Sequence, residues 1–227
     1  MSDTNQTSWT QIFGASAGKE AELDGFSRKY MPVVYAYLMA RWKGSRLADY
    51  VDDATQEVFV QCLKDKGCLK KANPDHKGGF RAFLFGVTRN VALMIERERV
   101  RSENRKKSAA EKIVQDSMDD STPQKEFEKR WALTVVQTAA SLLKARASEK
   151  GPEAANRVEL LKLRFQDDIP IREIAIRWGV EASFLHREYS KARKEFREAI
   201  ETIVAEYAGN SPKEIEQECD ELLEILN

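Results

Sequence analysis

Histidine, cysteine and long apolar runs are all scarce in this 227-residue chain, and each shortage excludes a class of function. Two histidines and scattered acids form no spaced set of nucleophile, base and orienting group, so the chain is not expected to be an enzyme. Cys62, Cys68 and Cys219 are odd in number and lack paired spacing, which argues for reduced thiols and against a disulfide framework. Cys62, Cys68 and His76 could approach one another, but without a CxxC pair neither a metal nor another cofactor is expected. No segment approaches the roughly 18 apolar residues of a membrane span, and the opening MSDTNQTSW lacks a basic stretch followed by an apolar run. No membrane insertion and a cytoplasmic location are the resulting expectations. Sustained apolar–polar alternation is missing too, which leaves an all-α chain. Net charge is zero, from 37 basic and 37 acidic residues, so any attraction to a polyanion must come from segregated patches.

Such patches are present. In Phe80 to Arg101, Phe80, Phe83, Leu84, Val87, Val91 and Met94 recur at spacings of three and four and predict one buried helical face. Outside it lie Arg81, Arg89, Asn90, Arg97, Arg99 and Arg101, followed by Arg105, Lys106 and Lys107. Residues 80–107 hold eight Arg/Lys against three Asp/Glu, a stripe suited to phosphates and base edges. Read alone, the same stretch fits a solvated surface helix whose arginines pair with Glu96, Glu98 and Glu103.

A second basic segment lies at Ile169 to Ile200. Ile171, Ile174, Ala175 and Trp178 make a short apolar face, Gly179 permits a tight turn, and Val180 anchors the junction. Beyond the turn, Leu185, Tyr189, Ala192, Phe196 and Ile200 point inward, leaving His186, Arg187, Ser190, Lys191, Lys194 and Arg197 outward. This is a helix-turn-helix pattern of the kind that places its second helix in a major groove. An ordinary helical hairpin is the bland alternative.

In order along the chain, these segments resemble the bacterial sigma factors of the extracytoplasmic-function (ECF) class, which carry only domains two and four. Asp53-Ala54-Thr55-Gln56-Glu57-Val58-Phe59 is similar to the family's acidic D-x-x-Q-E-x-F helix, and Phe80 to Arg101 to its F-x-x-W-L-f-x-I-a-x-N block. Glu173-Ile174-Ala175 through Lys191-Ala192-Arg193 looks like E-I-A…G-V…R-A-R. The resemblance covers most of residues 25–205 and implies two small helical domains joined by a flexible linker, the second holding the helix-turn-helix. The implied partners are core RNA polymerase and promoter DNA, with an anti-sigma protein as a candidate restraint.

The resemblance also implies roles. Asp53, Gln56 and Glu57 would bind core polymerase, from a helix whose inward residues are Val51, Ala54, Val58 and Cys62 and whose start Asp49 could cap. Arg89, Asn90, Arg97 and Arg101 would contact the minus-ten element, helped by a loop from Lys66 to Gly79 that could take up a flipped base. His186, Arg187, Lys191 and Lys194 would contact the minus-thirty-five duplex, with Arg193 and Arg197 as further backbone anchors. The chain departs from the pattern at Phe184, Glu188 and Lys191, which leaves the promoter sequence open, and at Phe83 and Met94, which keep the helix face apolar. A stand-alone helix-turn-helix regulator is the competing function, though it leaves the Asp53–Phe59 block without a role.

The resulting organisation is an N-terminal segment (1–24), domain two (25–105), a linker (106–125), domain four (126–208) and an acidic extension (209–227). The linker passes from basic to acidic, ends in Asp119-Asp120-Ser121-Thr122-Pro123, and could span about 60 Å when extended. Helices are expected through Trp131, Val135, Ala139 and Leu142, broken by Gly151-Pro152, then over Val158 to Phe165. An earlier one carries Tyr30, Val33, Val34, Tyr37, Leu38 and Trp42 on its inner face. In the extension, Ser211, Pro212 and Glu214 begin a helix with the stripe Ile215, Cys219, Leu222, Leu223 and Leu226. It could mask a basic surface or offer its leucines to a partner, but completion of the domain-four core is the favoured reading.

Overall fold

The computed structural model describes residue 14 and residues 20–63, 68–71, 79–106, 120–208 and 211–226. Every regular element among them is helical. They are α1 (Glu20–Arg41), α2 (Val51–Leu63), α3 (Gly79–Lys106), α4 (Ser121–Lys150), α5 (Pro152–Phe165), α6 (Ile171–Trp178), α7 (Ala182–Ala208) and α8 (Pro212–Leu226), with 3-10 turns at Ala48–Tyr50 and Cys68–Lys71. By its contacts the chain divides into two compact units, residues 1–134 with 206–227, and residues 135–205. Both boundaries fall inside long helices, α4 and α7.

The first unit is built on aromatic rings. On α1 the three-and-four spacing delivers Tyr30, Val33, Val34, Tyr37, Leu38 and Trp42 to the interior, none more than 2% exposed. Phe26 meets Phe59 of α2 and Phe80 of α3 edge to face, at 5.6 and 5.9 Å, while Tyr30 stacks on Trp131 of α4 at 5.5 Å. Trp131 in turn meets Tyr207, from the end of α7, edge to face at 5.2 Å. Burial of each such ring contributes on the order of 2–3 kcal/mol, so these contacts hold the helices of this unit together. The inward positions of α2 are the expected Val51, Ala54, Val58 and Cys62, joined by Thr55 and Phe59.

On α3 the buried line is rotated from the expected one. Phe80, Leu84 and Val91 are buried, but so are Thr88 and Ala92, whereas Phe83 and Val87 are only half-buried and Met94 is exposed. Thr88 can lie inside because its hydroxyl donates to the Leu84 carbonyl, 2.8 Å away.

Helix α8 belongs to the first unit, and the expectation that it completes the core of the second module is therefore corrected. Cys219 and Leu222 are buried, and the Tyr207 hydroxyl donates to Glu218 at 3.4 Å. The acids of the helix, expected to face elsewhere, partly meet Arg81 of α3. Its guanidinium lies 3.2 Å from both Glu128 and Glu218 and 3.3 Å from Glu221, with the Arg81 side chain only 15% exposed.

The second unit packs the rest of α4 with α5, α6 and most of α7. Gly151, at φ 99°, ends α4, and Pro152 starts α5 at the position where a missing N–H costs nothing. Leu160 of α5, Ile171, Ile174 and Ala175 of α6 and Leu185 of α7 form one apolar cluster, with Trp178 and Tyr189 packed against it.

Candidate nucleic-acid interface

The α6–α7 turn is set by two backbone features. Pro170 is extended and its carbonyl accepts the Glu173 and Ile174 amides at 3.0 and 3.1 Å, so α6 starts without a side-chain cap. Gly179 sits in the left-handed region at φ 64°, ψ 35°, the conformation that ends a helix tightly and that L side chains disfavour. Val180, expected to anchor the junction, is instead exposed; its amide does the anchoring, donating to the Ala175 carbonyl at 3.1 Å.

This turn leaves His186, Arg187, Lys191 and Lys194 exposed on α7. Arg187, Lys191 and Lys194 follow a three-and-four spacing along one line that begins at Phe184, whose exposed ring lies 6.0 Å from the Arg187 guanidinium carbon. Among the described residues Arg187 meets no carboxylate, but the Lys191 ammonium donates to Glu188 at 2.7 Å. Glu188 is also held by Arg157 at 3.3 Å; the Lys191 contact, with help from Arg157, lowers its pKa despite burial. Arg157 of α5 was not singled out in the sequence. Its guanidinium, largely buried, grips Glu195 through two nitrogens at 2.8 and 2.9 Å and so fixes α7 on α5. The only trace it leaves in the sequence is a cation in an otherwise acidic and apolar helix start.

In the first unit, Asp52, Asp53 and Gln56 are exposed on α2, next to Val60 at 53% exposure. Glu57 is half-buried and accepts a bond from the Gln61 amide at 2.5 Å. Asp53, Gln56, Glu57 and Val60 share one helical face, a polar patch with an apolar edge. Asp49, expected as a cap, lies within the 3-10 turn that runs straight into α2.

On α3, Arg89, Asn90, Arg97 and Arg101 are all exposed. Asn90, Arg97 and Arg101 share one line with Met94, and Arg89 stands about 100° round from it. Arg89 points instead to a buried polar network. The Arg41 guanidinium, 3% exposed, binds both oxygens of Glu96 at 2.6 and 3.0 Å, and Trp42 Nε1 adds a bond to the same carboxylate at 2.8 Å. Arg41 also meets Asp120, which accepts from the Tyr37 hydroxyl at 3.0 Å and from Arg89 Nε at 2.6 Å. Glu96 raises the Arg41 pKa, and burial pushes the Tyr37 phenol up to about 12. Burial opposes ionisation of Asp120, but the Arg89, Tyr37 and Arg41 contacts outweigh it and hold its pKa below the ordinary value.

Cys62 and Cys68 Sγ lie 3.9 Å apart as free thiols. Lys66, Gly67, Pro74, His76 and Gly78 of the expected base-binding loop lie outside the described residues, as do linker residues 107–119. Among the described residues no group of His, Cys, Asp and Glu is placed to hold a metal ion, and no helix is long and apolar enough to cross a membrane. Compared with known proteins, the chain matches no described family and no curated protein.

Proposed function

We propose that this chain is an RNA polymerase sigma factor of the ECF class. It performs no covalent chemistry: it joins core polymerase in the cytoplasm, recognises two promoter elements and helps open the DNA. In this reading residues 25–105 act as domain two and residues 126–208 as domain four, with α6, Gly179 and α7 as a DNA-reading helix-turn-helix. The observation that carries the proposal is an ordered set of three exposed surfaces. The acidic face of α2 at Asp53 and Gln56 comes first, the basic line of α3 at Arg97 and Arg101 next, and the cationic line of α7 at Arg187 and Lys194 last.

Each surface suits its assigned task. A polar patch edged by Val60 fits protein docking. Arg97 and Arg101, which meet no carboxylate among the described residues, are available to a strand backbone. Arg187, held against Phe184, is presented for bidentate contact with guanine, while Lys194 fits a phosphate. Lys191 and Arg89 each begin with an acidic partner, so a DNA contact from either requires an exchange of partners.

The direct test is association with purified bacterial core polymerase, followed by fluorescence anisotropy of the labelled chain. Saturable binding, weakened at least tenfold by Asp53→Ala with Gln56→Ala, is expected. No binding to core, together with specific binding to duplex DNA, would favour a stand-alone regulator.

A further inference from the structure

We propose that Tyr37, Arg41 and Arg89 form a binding site for a backbone phosphodiester, and that Asp120 fills it with its own carboxylate when no strand is bound. The inference rests on the reading of α3 as a strand-binding helix, and it adds a site and a regulatory contact to that reading.

The geometry is that of an anion cradle. Donors from two helices converge on one carboxylate: Arg41 and the Tyr37 hydroxyl on Oδ1, Arg89 Nε on Oδ2. A phosphodiester offers the same arrangement, two non-bridging oxygens sharing one negative charge, and arginine forks match it. Two of the three donors are fixed independently of Asp120. Arg41 is held by both oxygens of Glu96 and donates to the Tyr37 hydroxyl at 3.2 Å, and Glu96 is itself locked by Trp42.

Charge also fits a single occupant. Arg41 and Arg89 carry two positive charges, Glu96 removes one, and the remainder matches one carboxylate or one phosphodiester. The third donor, Arg89, has a side chain 47% exposed and is followed directly by exposed Asn90, so the cradle opens onto the basic surface of α3.

Asp120 is placed to leave. It is the first described residue after residues 107–119, and it is tied to α4 through its carbonyl, which accepts the Gln124 amide at 2.9 Å. A displaced Asp120 becomes a solvated carboxylate at the start of a helix, where negative charge is favourable. Exchange of one anion for another therefore leaves no buried charge unpaired.

The test uses the full chain and a fluorescein-labelled single-stranded oligothymidylate, with affinity read by anisotropy over a salt series. Asp120→Asn should bind about three- to tenfold tighter than the wild type, and its log-affinity against log-salt slope should steepen by about 0.7, the value for one further phosphate contact. Arg89→Ala added to Asp120→Asn should abolish both gains, and Glu126→Gln, which removes an exposed charge one turn along α4, should produce neither. Inorganic phosphate at matched ionic strength should compete weakly; competition as strong as by unlabelled oligonucleotide would make the site one for free phosphate and overturn the assignment. Unchanged affinity and slope in a folded Asp120→Asn protein, or a gain that survives Arg89→Ala, would overturn it too. Asp120→Ser, which keeps a helix-capping side chain, serves if the asparagine variant fails to fold. No polymerase enters this assay, so its outcome is separate from that of the sigma proposal.

Discussion

Gly179 allows a prediction whose magnitude follows from geometry alone. Its φ of 64° lies in the left-handed region, and a Cβ built there meets nothing within 4 Å. The cost of Gly179→Ala is therefore torsional, about 1–2 kcal/mol, with no clash to add. Alanine also restricts the unfolded chain, which returns about 0.4–1 kcal/mol, so a net loss of about 1 kcal/mol is expected. For a chain of this length that lowers the melting midpoint by about 2–4 °C. Asparagine tolerates the left-handed region and should lose less than alanine, whereas β-branched valine should lose more. Thermal unfolding followed by circular dichroism gives the order Gly, Asn, Ala, Val. Equal midpoints for all four, or a valine variant as stable as the asparagine one, would show that the turn between α6 and α7 does not hold this conformation.

Two further predictions concern charge. Burial raises the pKa of Glu128 and of Glu218, against the opposing pull of Arg81. A raised carboxyl pKa favours the folded state below the ordinary glutamate pKa, and that contribution is lost as pH rises through the folded value. Glu218→Gln should therefore be at least as stable as the wild type at pH 7, with the difference shrinking towards pH 4; a large loss at pH 7 alone would refute this. On α7, Arg187→Ala should lose about 1–3 kcal/mol of discrimination at one base pair, whereas Lys194→Ala should weaken all duplexes alike and reduce the salt slope by about 0.9. Binding selections from a randomised duplex library, repeated at two salt concentrations, separate the two effects.

Much of the helical framework could be read from the sequence because it follows from local spacing. The inner faces of α1 and α2 needed only the three-and-four recurrence of apolar residues, and the α5 start and the α6–α7 turn only Pro152 and Gly179. The phase of α3 was misjudged because hydrophobicity counts Thr88 as polar, whereas its hydroxyl is satisfied by its own helix. Charged residues inside the fold were the least legible. Arg41 finds Asp120 across 79 positions and Arg81 finds Glu221 across 140, and no local pattern announces such partners. The same distance hid the attachment of α8: its apolar stripe was visible, but nothing in the stripe names the surface it covers. For the candidate interface, exposure of the cations could be anticipated, while the Asp120–Arg89 and Glu188–Lys191 pairings that engage two of them could not.

Reconstituted transcription from a promoter library, with bacterial core polymerase and this chain as the only added factor, tests the sigma proposal most directly. Initiation from a discrete promoter class is predicted, reduced by Asp53→Ala with Gln56→Ala across all promoters and by Arg187→Ala in a manner that depends on the upstream element. Absence of initiation from every promoter, with a folded protein and active core, would contradict it.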